Sequence, residues 1–120
     1  MTERIIHWHF YKLLLAPCPC GATYRDILIH KNYEYCRICR RKTSAKSELK
    51  IFKSSNLSYS QIAKLLICYS KNLSPKETKK IIHIDRTTAY RWYKKIDNSS
   101  PKEKIIIEKL VSKFATILPL

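Results

Sequence analysis

The sequence predicts a mostly α-helical protein with a small β zinc ribbon, in the order N-terminal helix, ribbon, helix-turn-helix and C-terminal helix. Three observations lead there. Four of the five cysteines fall in two close pairs, Cys18-Pro19-Cys20 and Cys36-Arg37-Ile38-Cys39, with β-forming residues between them. Beyond residue 57, apolar side chains recur at helical spacing behind capped helix starts. The net charge of +15 is concentrated, because residues 31–53 and 71–95 each hold eight Lys/Arg and two acids.

At 120 residues the chain accommodates one domain or two very small ones, which the composition divides at 1–53 and 54–120. Units of about 40 residues need a metal, disulfides or a partner to hold them. An odd cysteine count with close pairs favours thiolate ligands plus one spare thiol over a secreted disulfide scaffold. No signal peptide and no apolar run of roughly 20 residues is present, so an intracellular protein without a membrane span is expected. Such a protein would be nuclear if eukaryotic and DNA-binding, or cytoplasmic if ribosomal. One glycine, Gly21, excludes glycine-rich nucleotide loops. The charge itself points to a polyanion, since Lys and Arg neutralise phosphates and release counterions.

Residues 3–15 read as an amphipathic helix, stopped near Pro17. Its Trp8, Phe10 and Tyr11 either join the core, covering the metal site, or dock on a partner. Thr23 to His30 and Tyr33 to Tyr35 then read as two strands, with Lys31-Asn32 able to turn between them. That hairpin would bring Cys18, Cys20, Cys36 and Cys39 together as ligands of a closed structural zinc site, with Zn–S bonds of about 2.3 Å. Zinc would supply much of the folding free energy of so small a unit. The tight Cys-x-Cys spacing leaves one ligand open between Cys18 and a histidine, His7, His9 or His30. The knuckle opens into a basic arm with Arg40, Arg41, Lys42 and Lys46 as phosphate contacts, followed by a short strand over 49–52.

Ile62, Leu65, Leu66 and Tyr69 set a helix over 58–70, with Ser58 and Gln61 placed to cap it and Cys68 as a core thiol. Ser74-Pro75-Lys76-Glu77 is a capped helix start, and Asp85 is placed to cap the next helix, Arg86 to about Ile96. Two short helices, a turn without glycine and a third helix make a helix-turn-helix. In the third helix Ala89, Trp92 and Ile96 face the core. Arg86, Thr87, Thr88, Tyr90, Arg91, Lys94 and Lys95 remain to contact nucleic acid, the Arg and Thr at its start suiting base edges or phosphates. Ser99-Ser100-Pro101-Lys102-Glu103 starts a last helix whose apolar stripe runs through Ile105, Ile106, Leu110, Val111 and Phe114 to Ile117 and Leu118, either closing the helix-turn-helix core or pairing with a second copy.

Cys18-Pro19-Cys20-Gly21, Tyr35-Cys36-Arg37-Ile38-Cys39-Arg40, a basic arm and a helix-turn-helix carrying Thr87-Thr88-Ala89-Tyr90-Arg91-Trp92 together resemble a known arrangement. It is similar to the N-terminal part of insertion-sequence transposases that begin with a zinc ribbon, and of their Merlin relatives, over residues 16–97. The resemblance implies zinc on Cys18, Cys20, Cys36 and Cys39, and terminal-repeat DNA read by Arg86, Thr87, Thr88 and Arg91. Family members continue into a nuclease-like domain whose carboxylates hold two metal ions, and this sequence ends about where that domain would begin. Its aspartates, Asp26, Asp85 and Asp97, do not form a set able to hold metals about 4 Å apart, so a non-catalytic protein is expected. The expected partner is nucleic acid, with DNA favoured over RNA. The rival expectation is a structural or assembly protein of a ribonucleoprotein such as a ribosome, or of a polymerase. It would bind RNA by shape and phosphate contacts and dock a protein through its N- or C-terminal helix.

Overall fold

A computed structural model describes residues 3–14, 20, 24–30, 33–45, 52 and 57–118. The elements run α1 (Glu3–Leu14), a 3-10 turn (Tyr24–Asp26), β1 (Ile27–Ile29), β2 (Glu34–Cys36), β3 (Lys42–Thr43), α2 (Tyr59–Ser70), α3 (Pro75–Ile82), α4 (Arg86–Asp97) and α5 (Pro101–Ile117). The expected class, mostly helical with a small sheet between the first helix and the rest, is the class observed. The chain divides into two compact units, 1–59 and 60–120.

In the first unit, β1, β2 and β3 form one antiparallel sheet in that order. Ile27 lies opposite Cys36, Ile29 opposite Glu34, and Tyr35 opposite Lys42. The His30 amide donates to the Tyr33 carbonyl at 2.9 Å and closes the hairpin. Alternation sends Ile27, Glu34 and Cys36 inward and Leu28 outward. Tyr11, Ile27 and Cys36 form a buried cluster, with Trp8 and Ile29 packed against it. Phe10 and Phe52 are fully buried and meet edge to face at 5.9 Å between ring centroids. The α1 aromatics therefore serve the core.

The basic arm departs from expectation at its start. Lys42 and Thr43 fold back as a third strand, because the Cys36 amide donates to the Arg41 carbonyl at 2.9 Å and continues the ladder past the knuckle. The strand expected over 49–52 lies outside the described residues, apart from Phe52. Tyr59 belongs to the first unit. Its ring stacks on His7 at 3.8 Å, and its amide donates to the Glu3 carboxylate at 2.8 Å.

In the second unit α2 is buried almost all round, through Ile62, Ala63, Leu65, Leu66, Ile67 and Cys68. Cys68 is the core thiol expected, and burial raises its pKa. The two Ser-Pro-Lys-Glu starts cap as their sequence dictates. Ser74 accepts from the Glu77 amide at 3.2 Å and Ser100 from the Glu103 amide at 3.2 Å. The returning bond differs from the usual box, since each serine hydroxyl donates to the glutamate carboxylate. Asp85 holds the cap backbone conformation of α4 without a side-chain capping bond, which corrects the role expected for it. The α3–α4 turn begins on His83 at φ 55°, ψ 42°. A left-handed, non-glycine residue there costs of order 1 kcal/mol, held by the packing of α3 on α4.

The α5 stripe is shifted from the one expected. Ile107, Leu110 and Phe114 are buried, together with Leu118 beyond the helix end, whereas Ile105 is 54 % exposed and Ile106 and Val111 are half-buried. Ile105, Ile106 and Ile107 are adjacent, and periodicity alone does not choose which of three isoleucines sits on the buried row.

Candidate functional site

The first candidate site grows out of β2. The strand carries Cys36 inward and ends in a turn, where the Arg40 amide donates to the Cys36 carbonyl at 2.8 Å and the Arg37 amide donates to the Asp26 carbonyl at 2.9 Å. This turn brings Cys39 back beside Cys36. The sulfurs of Cys20, Cys36 and Cys39 all lie within 4.8 Å of one another, those of Cys20 and Cys36 at 3.5 Å. Tetrahedral thiolate ligands with bonds of about 2.3 Å stand roughly 3.8 Å apart, so this spacing fits a single metal ion.

The Cys39 amide points at the Cys36 sulfur at 3.5 Å. That hydrogen bond, with help from the Ile38 amide and the neighbouring thiols and against the pull of burial, lowers the Cys36 thiol to about 6. A thiolate at neutral pH is the form that ligates metal. Soft thiolate donors suit a thiophilic ion, and Tyr11 of α1 joins Cys36 in a buried cluster on which Trp8 packs. Arg40 follows the knuckle at φ 61°, a conformation in which glycine is the low-energy choice. A charge stands there instead.

Cys18, one of the expected ligands, lies outside the described residues, as does Lys46. Among the described residues no histidine joins the three cysteines. His30 is at the turn end of the hairpin, three strand positions from the level of Cys36, or about 10 Å. His7 has another task. It is buried, and its Nε2 meets the Glu34 carboxylate at 2.8 Å. Glu34 also accepts from the Thr43 hydroxyl at 3.1 Å and the Ala45 amide at 3.1 Å. This network ties α1, β2 and β3 together behind the knuckle. Sequence reasoning missed Glu34. Its signal was the two-residue step to Cys36, which puts both on the inward face of one strand.

The second candidate site is α4. Ala89, Trp92 and Ile96 are buried, as expected. Arg86, Thr87, Tyr90, Arg91, Lys94 and Lys95 are exposed, while Thr88 is half-buried and offers less than its neighbours. Lys94 lies over the Tyr90 ring at 5.0 Å and Lys95 over Trp92 at 5.6 Å, so both ammonium groups are held near the helix surface. Arg86, Thr87 and Tyr90 share a cleft of about 480 Å³ with Ser74, Pro75 and Lys76 at the start of α3. Two helix N-termini, two cations and three hydroxyls therefore converge on one opening, which suits an anion. Of the arm, Arg40, Arg41 and Lys42 are exposed.

No helix among the described residues is long and apolar enough to cross a membrane. No protein-family profile, curated protein or solved structure matches the chain.

Proposed function

We propose that the protein is a non-catalytic nucleic-acid-binding protein that holds a structural zinc ion on Cys20, Cys36 and Cys39 and reads duplex DNA with α4. Cys18 is the natural fourth ligand by its place in the sequence. The observation that carries the proposal is the α4–α3 cleft. Arg86 and Thr87 open α4 beside Lys76, and Arg91 continues the exposed face one turn further on. Phosphate contacts at the cleft would set the register, while Arg86, Thr87, Tyr90 and Arg91 approach base edges in the major groove. Lys94 and Lys95, and Arg40, Arg41 and Lys42 on the ribbon, would add salt-dependent phosphate contacts. The order of ribbon, arm and helix-turn-helix supports descent from the DNA-binding end of a transposase.

Anisotropy titration of duplex DNA tests this. Arg91→Ala should weaken a preferred duplex by about 1–3 kcal/mol with the fold intact. Unchanged affinity would remove the reader role of α4, and a consistent preference for structured RNA would move the protein to a ribonucleoprotein.

A further inference from the structure

We propose that the outer face of the three-stranded sheet is a stacking platform for unpaired nucleotides, built from His30, Tyr33, Tyr35 and Lys42. The inference rests on the nucleic-acid reading above and extends it to residues outside α4. Alternation along β1 and β2 puts Ile27, Glu34 and Cys36 on the inward face. By the same alternation Leu28 and His30 on one strand, and Tyr33 and Tyr35 on the next, share the other face. Lys42, opposite Tyr35 in the register, completes the row on β3.

A solvent-facing side of a small antiparallel sheet is ordinarily polar. Here it carries three rings, and Leu28 is 36 % exposed. The His30 and Tyr33 rings are already parallel, 4.4 Å apart with 17° between their planes. Lys42 Nζ sits 4.3 Å from the centre of the Tyr33 ring. His30 is exposed, so the stack is open to a further planar group. A cation beside the rings is placed for the phosphate that joins one stacked base to the next, and exposed Arg25, Arg37 and Arg41 add to the positive potential of this unit.

Rings with adjacent cations select a planar, anionic polymer, which is single-stranded nucleic acid. Bases inside a duplex cover each other's faces and cannot use the platform. Unpaired bases beside a duplex can, so the protein should favour a junction between paired and unpaired strands over duplex alone.

Anisotropy with the full, metal-loaded chain and two DNA probes tests this, one a blunt duplex and the other the same duplex with a single-stranded thymidine tail. The tail should tighten binding by about fivefold or more. His30→Ala and Tyr33→Ala should each lose most of that gain with blunt-duplex affinity unchanged, and Tyr33→Phe should keep it. Amide shifts of Glu34 and Cys36 report whether the sheet survives each substitution. No gain from the tail in the parent protein, or a gain that survives both alanine variants, overturns the platform and leaves the stack as a brace for the hairpin. Binding of the tailed probe without the blunt duplex keeps the platform and sinks the α4 reading. Binding of neither probe overturns both.

Discussion

The two units solve the same problem, too few residues for a large core, in opposite ways. The first places buried polar chemistry at its centre. His7 and Glu34 are 2 % and 1 % exposed, and Cys36, two residues along the strand from Glu34, is buried while meeting the exposed Cys20 and Cys39. The second centres on apolar side chains from α2, α4 and α5, and Thr78 is its one buried polar residue among those described. Thr78 meets the Tyr93 hydroxyl at 2.5 Å. Apolar burial needs only volume and pattern, whereas a buried Cys36 thiolate and a buried His–Glu pair are costly unless every partner is present. If Cys20, Cys36 and Cys39 hold a metal as proposed, the first unit depends on it, whereas the described residues of the second contain no comparable cluster.

The largest expected effect breaks that contrast open. A strong chelator should unfold residues 1–59, because structural zinc sites couple metal binding to folding. Amide signals of α2 beyond Tyr59, and those of α3, α4 and α5, should persist. Loss of both sets together would show that the second unit depends on the first.

A smaller effect separates the metal from the network behind it. Glu34→Ala removes the acceptor of His7, Thr43 and Ala45 and should cost about 3–5 kcal/mol in the metal-loaded protein, read by urea denaturation of the strand amides. A change below about 1 kcal/mol would assign the stability of this unit to the metal alone.

The smallest effect concerns a polar contact at the surface of the helical unit. Tyr69 donates to the Asp97 carboxylate, and this hydrogen bond is the main reason its hydroxyl is pushed up to about 12. The folded state keeps a proton that the unfolded chain gives up near the ordinary value of about 10. The contribution is therefore complete below that value and is lost as pH rises through about 12. Burial also raises Tyr93, so ultraviolet titration should show Tyr69 and Tyr93 titrating late, and Asp97→Asn should return Tyr69 alone toward the ordinary range. A late phase of unchanged amplitude in that variant would assign the Tyr69 shift to burial instead.

Local physics made much of this legible. Ser-Pro-Lys-Glu specifies a helix start wherever it occurs, and α3 and α5 begin on Pro75 and Pro101 accordingly. The buried row of α4 followed from three- and four-residue spacing. Cys36 and Cys39 met because a knuckle is a local turn. The α5 row was harder, since three successive isoleucines give no phase, and the half-burial of Thr88 depends on neighbours that helical spacing alone does not show.

By itself, then, the sequence determined the elements, their order, the close approach of the two knuckle thiols and the charged face of α4, because each depends on neighbours within a few residues. Tertiary structure alone decided that His7 serves Glu34 and stays outside the cysteine cluster, that the arm begins as a third strand, and that His30, Tyr33 and Lys42 stack. Those outcomes depend on pairings across 27 residues in the case of His7 and Glu34, and on the strand register for the rest. Neither is encoded in local spacing, since register is fixed only when competing inward and outward faces are weighed against a whole core.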